Sequence, residues 1–243
     1  MGDIKLKAWI LALIAIISVL LLFSLYFYTV KRKIVLNTLL KPLFPSGTNE
    51  IYEFLSEKLS GILFTGIIPY FIFILILNVL PKTIGFTAGR TFHFWYLMLL
   101  LVLLITLISF FSSKRKSVQD ISPELKLKDW YPRHLVLSAS VWLCYLFGYE
   151  FLLRGVLWFL CRAAFGFWPA MIINLFLYSL VHLPKGRLIA MSAIPAGVVL
   201  CLLSELTGSF FPAFLIHSSI AVMIEEFSLY HNPELHFHLK ERT

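Results

Sequence analysis

The chain has 243 residues, of which 59% are hydrophobic and only 14% charged, and its net charge is +8. Soluble domains carry roughly 45–50% apolar and about 25% charged residues. The composition therefore excludes a disordered chain, a coiled coil and a secreted disulfide scaffold, argues against a soluble globular domain, and leaves a polytopic membrane protein.

A bilayer core takes about 20 apolar residues per helix. Residues 8–30 form the first such run, without a charge and longer than the apolar region of a signal peptide. Lys31, Arg32 and Lys33 follow it where a cleavage pattern would stand, so it reads as a retained span. The second run is 59–80 and the third 91–111, closed by Pro81 and by Ser112–Lys116. Residues 135–164 form about 30 residues interrupted only at Gly148-Tyr149-Glu150, too long for one straight crossing at 1.5 Å per residue. That stretch is either one kinked helix or a pair broken near Gly148. Runs at 168–183, 188–205 and 209–229 complete the chain. The reading is all-α, with seven or eight transmembrane helices, no internal repeat and no strand pattern.

The organisation expected is a three-span region with basic loops over 1–134, a core over 135–230 and a polar tail over 231–243. Loops 30–58, 112–134 and 184–187, with the tail bases Lys240 and Arg242, hold fifteen of the basic residues. Lys5, Lys7, Lys82, Arg90 and Arg162 make five on the other side. The positive-inside rule then places the larger group in the cytoplasm and the N-terminus outside. This asymmetry accounts for the net charge without nucleic acid. Loop 112–134, with Trp130 and Tyr131 among its bases, is expected along the lipid headgroups. Cys144, Cys161 and Cys201 sit in apolar runs without paired spacing and read as buried small hydrophobes.

Ionisable residues inside apolar spans are costly and mark functional sites by default. Four stand out: Glu150, Arg154, His182 and His217. Glu150 and Arg154 are four apart, which puts them on one helix face as an ion pair. His182 and His217 belong to other spans, so the four residues suggest one converging polar site. Glu150, His182 and His217 could hold a metal ion, or could activate a water as base and stabilise an oxyanion. No cofactor is expected, the metal being the less favoured alternative. Glu205 stands near a span end and reads as reaching the interface. Glu225, Glu226, Glu234, His231, His236 and His238 read as a solvated end of the chain.

In order and spacing, three segments resemble the motifs of the CAAX-protease and bacteriocin-processing (CPBP) family of membrane endopeptidases. Tyr149-Glu150-Phe151-Leu152-Leu153-Arg154 is similar to E-E-x-x-x-R, Tyr178–His182 to F-x-x-x-H, and His217–Ala221 to H-x-x-x-N/D. Arg154-Gly155 and Thr207-Gly208-Ser209 also resemble the motif surroundings. The resemblance covers residues 135–221 and implies a CPBP-like helical bundle. In the family, the first glutamate and the second-motif histidine activate water, and the third-motif histidine and asparagine stabilise the oxyanion. Here Glu150 matches the second glutamate, and Tyr149 and Ala221 replace the first glutamate and the asparagine. A tyrosine of pKa about 10 is a poor base near neutral pH, and an alanine side chain donates no hydrogen bond. The expected function is therefore a degenerate endopeptidase site in a non-catalytic binding or scaffold subunit. The alternative is an active endopeptidase using Glu150, His182 and His217. The expected partners are membrane lipids and another membrane protein or a hydrophobic peptide, and the expected location a bacterial inner membrane.

Overall fold

A computed structural model describes residues 2–43 and 48–240. Arg242, counted above with the cytoplasmic bases, lies outside the described residues, as do the last three positions of the tail. The described chain is almost wholly helical. Seven helices are long and apolar enough to cross a bilayer: α1 (Lys5–Lys31), α2 (Asn49–Ile76), α3 (Phe92–Ser112), α4 (Pro132–Phe165), α5 (Phe167–Lys185), α6 (Arg187–Thr207) and α7 (Phe211–His231). The only strands among the described residues are β1 (Asp129–Trp130) and β2 (His236–Phe237), which pair in parallel.

The choice between seven and eight spans is resolved at α4, which passes through Gly148 unbroken. Pro132 starts it at a position where a missing N–H costs nothing. Gly166, at φ +88°, ends it in a backbone conformation that L side chains rarely adopt. At 34 residues α4 is roughly 50 Å long, well over the about 30 Å of a hydrocarbon core. It is also the axle of the bundle, touching α1, α2, α5, α6 and α7. Half of its apolar window is buried inside the protein, against 11% for α3, which shows most of its surface to the surroundings. Residues 148–157 are buried without interruption, as expected of a helix surrounded on all sides.

α2 starts at Asn49, ten residues before the apolar run that marked it. A hydropathy window misses these turns because only one side is apolar, with Phe54 buried and Glu53 exposed. Further along, Gly66 of α2 meets Gly148 of α4 backbone to backbone. A Cβ on Gly148 would fall 2.9 Å from the Gly66 backbone, and one on Gly66 3.2 Å from the Gly148 Cα. Small residues permit such close approach between membrane helices.

Two surface expectations are corrected. Trp130 does not lie along the headgroups: it is 1% exposed, and its indole N–H donates to the Leu127 carbonyl at 2.9 Å. That bond satisfies the one polar group that would otherwise keep the indole at an interface. Cys144 is exposed on the bundle surface, while Cys161 and Cys201 are buried.

Gly148→Ala should lower the thermal unfolding midpoint in detergent, because overpacking against backbone costs about 1–3 kcal/mol. Gly66→Ala should be milder, since its clash is smaller and the helix-propensity gain of about 1 kcal/mol, common to both sites, covers more of it. Equal midpoints for both variants and the parent would contradict the close α2–α4 crossing.

Candidate functional site

Glu150 and Arg154 sit on consecutive turns of α4, both fully buried. Over Phe151–Leu157 the helix widens to π-type turns, as it also does at Leu36–Leu40, Ile62–Ile67 and Phe71–Ile76. The Leu153 carbonyl there accepts the Trp158 N–H and also the amide of Asn174 from α5, at 2.8 Å. Asn174, Tyr178 and His182 are spaced by four, so α5 turns one stripe of side chains toward this segment.

The shortest contact of the Glu150 carboxylate is with His217 of α7, Oε1 to Nδ1, at 2.6 Å. The Arg154 guanidinium stands off at 3.4 Å from Oε2 and lies 4.0 Å above the Tyr178 ring. The intrahelical pair inferred from the spacing is therefore present but loose, and the tight bond runs between helices. A carboxylate accepts, so Nδ1 of His217 carries a proton toward Glu150. The same follows for His182, whose Nδ1 donates to the Tyr178 carbonyl at 2.7 Å. Both imidazoles are thereby held through Nδ1, which leaves Nε2 as the nitrogen open to other partners.

The structure brings all four ionisable residues together around one aromatic ring. Tyr149, 4% exposed, has its ring 5.6 Å from that of His217 and 6.2 Å from that of His182. Phe23 of α1 closes on it edge-on at 5.5 Å, and its hydroxyl has no hydrogen-bond partner among the described residues. Tyr149, His182, His217 and Ala221 all line one cavity of about 370 Å³, a size typical of small-ligand sites. Leu146, Val181, Ile189 and Ile220 give it apolar walls. Among the described residues no three His, Cys, Asp or Glu side chains gather as a metal site.

The mouth of the cavity carries charges that the sequence reading passed over. Lys58 of α2, fully buried, pairs with Glu124 and, at 3.2 Å, with Glu57. Its ammonium rests 3.6 Å above the Trp142 ring. Lys185, at the end of α5, reaches the other oxygen of Glu124 at 2.8 Å. Both carboxylate oxygens of Glu225 accept the backbone N–H of Glu124, each at 2.9 Å. Glu225 is thus buried within α7, not part of a solvated end. Its position eight residues after His217, on the same helix face, was the available signal. Glu124 sits in an irregular segment and gave none. Burial alone would raise the Glu124 carboxyl, but Lys58 and then Lys185 outweigh it and bring it down to about 2. Of the other polar groups at the end of the chain, His231 bonds Ser113 at 2.8 Å and His238 bonds Asp129 at 2.7 Å, while Glu226, Glu234 and His236 are exposed. Glu205 forms an ion pair with Arg162 at 2.9 Å.

Comparison with protein-family models now bears directly on this cluster. Residues 131–223 match the model described as type II CAAX prenyl endopeptidase Rce1-like. Over this segment the chain is similar to Rce1-like endopeptidases, consistent with the CPBP resemblance of its motifs. The matched segment runs from the start of α4 into α7 and contains every motif residue named above. α1, α2 and α3 lie outside it, although Phe23 of α1 lines the cavity and Lys58 of α2 pairs with Glu124 on its wall. Searches of curated proteins and of solved structures give no match.

Arg154→Ala leaves Glu150 with one partner in an apolar interior and should cost about 3–5 kcal/mol of stability, read as folded yield and unfolding midpoint in detergent. Glu150→Gln should cost less, since the amide oxygen still accepts from His217 and Arg154. Acid titration tests the mouth separately. A depressed carboxyl contributes stability that is fully present above its unfolded pKa and lost as pH falls through the folded one. The unfolding midpoint of the parent should therefore drop between about pH 4.5 and about pH 2 by more than that of Glu124→Gln.

Proposed function

We propose that this chain is a CPBP-like membrane protein whose endopeptidase site is degenerate, and that it holds an apolar segment of a membrane partner without cutting it. The observation supporting this reading is the Tyr149 ring, which stands 5.6 Å from the His217 ring and 6.2 Å from the His182 ring at the sequence position where the resembling motif has its catalytic glutamate. Glu150 is a poor substitute. One of its oxygens is held by His217 and the other faces Arg154. Across the cavity, Ala221 offers no donor to an oxyanion. Losing a general base and an oxyanion donor typically costs about 10²-fold or more each. What persists is a cavity with apolar walls and two oriented imidazoles that can accept hydrogen bonds from a bound chain. In this reading the basic loops face the cytoplasm, the N-terminus lies outside, and the membrane is a bacterial inner membrane.

A second reading is favoured by one specific contact. A carboxylate that fixes an imidazole through Nδ1–H and leaves Nε2 free is the arrangement by which enzymes set up a histidine base. Glu150–His217 has that form, and it would make the chain an endopeptidase with altered roles.

The two readings separate in a cleavage assay with prenylated and hydrophobic peptides. The parent should show no cleavage, and Tyr149→Glu combined with Ala221→Asn should gain partial activity that His182→Ala abolishes. Parent cleavage that disappears in His182→Ala would overturn the binding reading in favour of the enzyme.

A further inference from the structure

The cavity is covered on one side by part of the connection between α3 and α4. Val118, Ile121, Ser122 and Glu124 of this connection all line it. Both ends of the connection are anchored elsewhere. At one end the Ser113 hydroxyl bonds His231 of α7, and Gln119 donates to the Ser113 carbonyl at 3.1 Å. At the other end Leu125 and Trp130 are buried, and β1 is tied to β2 through N–H bonds from His236 and His238 to the Lys128 and Trp130 carbonyls, both at 2.8 Å. The stretch 118–124 between these anchors has a limited apolar hold of its own: Ile121 is 48% exposed and Val118 half-buried, and Pro123 is its one buried apolar side chain. Its fastening to the bundle is mainly polar: Gln119, at its first turn, donates to the His231 carbonyl at 3.4 Å, and the far end is held at Glu124, whose carboxylate joins Lys58 and Lys185 and whose N–H is held by Glu225.

We propose that residues 118–124 form a lid over the cavity and that Glu124 is its latch, pinning the lid to α2, the end of α5 and α7 at once. The energetics suit a latch. Lys58 is fully buried, so the closed state satisfies a cation that would otherwise be stranded with Glu57 alone. Local opening is drawn from segments with few apolar contacts and polar attachment, as here. Opening exchanges the Glu124 contacts for water and exposes the cavity wall at Ala221, His182 and His217. Swinging the lid disturbs neither α4 nor the Glu150–His217 bond, which lie deeper. A passage of this kind is needed whether the occupant is cleaved or only held.

The test is the accessibility of the cavity wall to a solution probe. A thiol is introduced as Ala221→Cys in a Cys144→Ala background, and its reaction with a membrane-impermeant maleimide is timed in detergent. Glu124→Gln should speed that reaction by about tenfold or more. The buried native Cys161, which reports whole-molecule unfolding, should stay unreactive. Lys185→Met removes one arm of the latch and leaves Lys58 paired. It should give a smaller acceleration, and it decides the matter if Glu124→Gln does not fold. Unchanged labelling of the introduced thiol in a folded latch variant, or labelling of Cys161 rising in step with it, would overturn the lid.

Discussion

A carboxylate buried in the middle of an apolar bundle constrains everything around it. Desolvating an ion costs several kcal/mol even after relaxation, and only good geometry repays it. Glu150 meets this condition chiefly through His217 at 2.6 Å, with Arg154 standing off at 3.4 Å and Oε2 left without a hydrogen bond among the described residues. The His217 bond ties α4 to α7, and the Arg154 guanidinium stacks on Tyr178 of α5. Three helices are thereby fixed about one charge. The direction of Tyr149 follows from the same constraint. One residue along a helix rotates a side chain by about 100°, so with Glu150 turned toward α7, Tyr149 is carried to the cavity wall.

That rotation separates two tasks the family's paired acidic motif combines. The second position of the pair keeps its acid, and the acid is engaged in holding helices. The first position faces the cavity and carries an aromatic ring. The two departures from the motif pattern, Tyr149 and Ala221, lie on the cavity wall, and the matching residues divide: Glu150 and Arg154 meet the protein, while His182 and His217 also line the cavity. Chemistry at this site can be lost with the scaffold intact, because the scaffold's charges pair among themselves.

The sequence revealed those parts that carry a periodic or costly signal. Long apolar runs located the helices, since hydrocarbon admits little else, and the ends of α5, α6 and α7 fell within a few residues of the runs. Glu150, Arg154, His182 and His217 were visible because charge inside an apolar span needs a reason. What stayed hidden depends on contacts between distant segments. Nothing local distinguishes Lys58 from the bases exposed around it, and its burial depends on Trp142 and Glu124. The tight partner of Glu150 is 67 residues away, whereas the spacing rule pointed to Arg154, one turn along. Trp130 looked interfacial because its indole nitrogen needs a partner, and the Leu127 carbonyl supplies one inside the fold.

The central claim is that Glu150 is bound into the structure through His217 and is not held free for chemistry. A double-mutant cycle between Glu150→Leu and His217→Leu, scored by unfolding free energy in mixed micelles, measures that bond directly. The account predicts a coupling of about 1–3 kcal/mol between the two positions, as for residues in one buried polar network. Effects that add to within about 0.5 kcal/mol would contradict it, and Glu150 would then be free to act on a substrate.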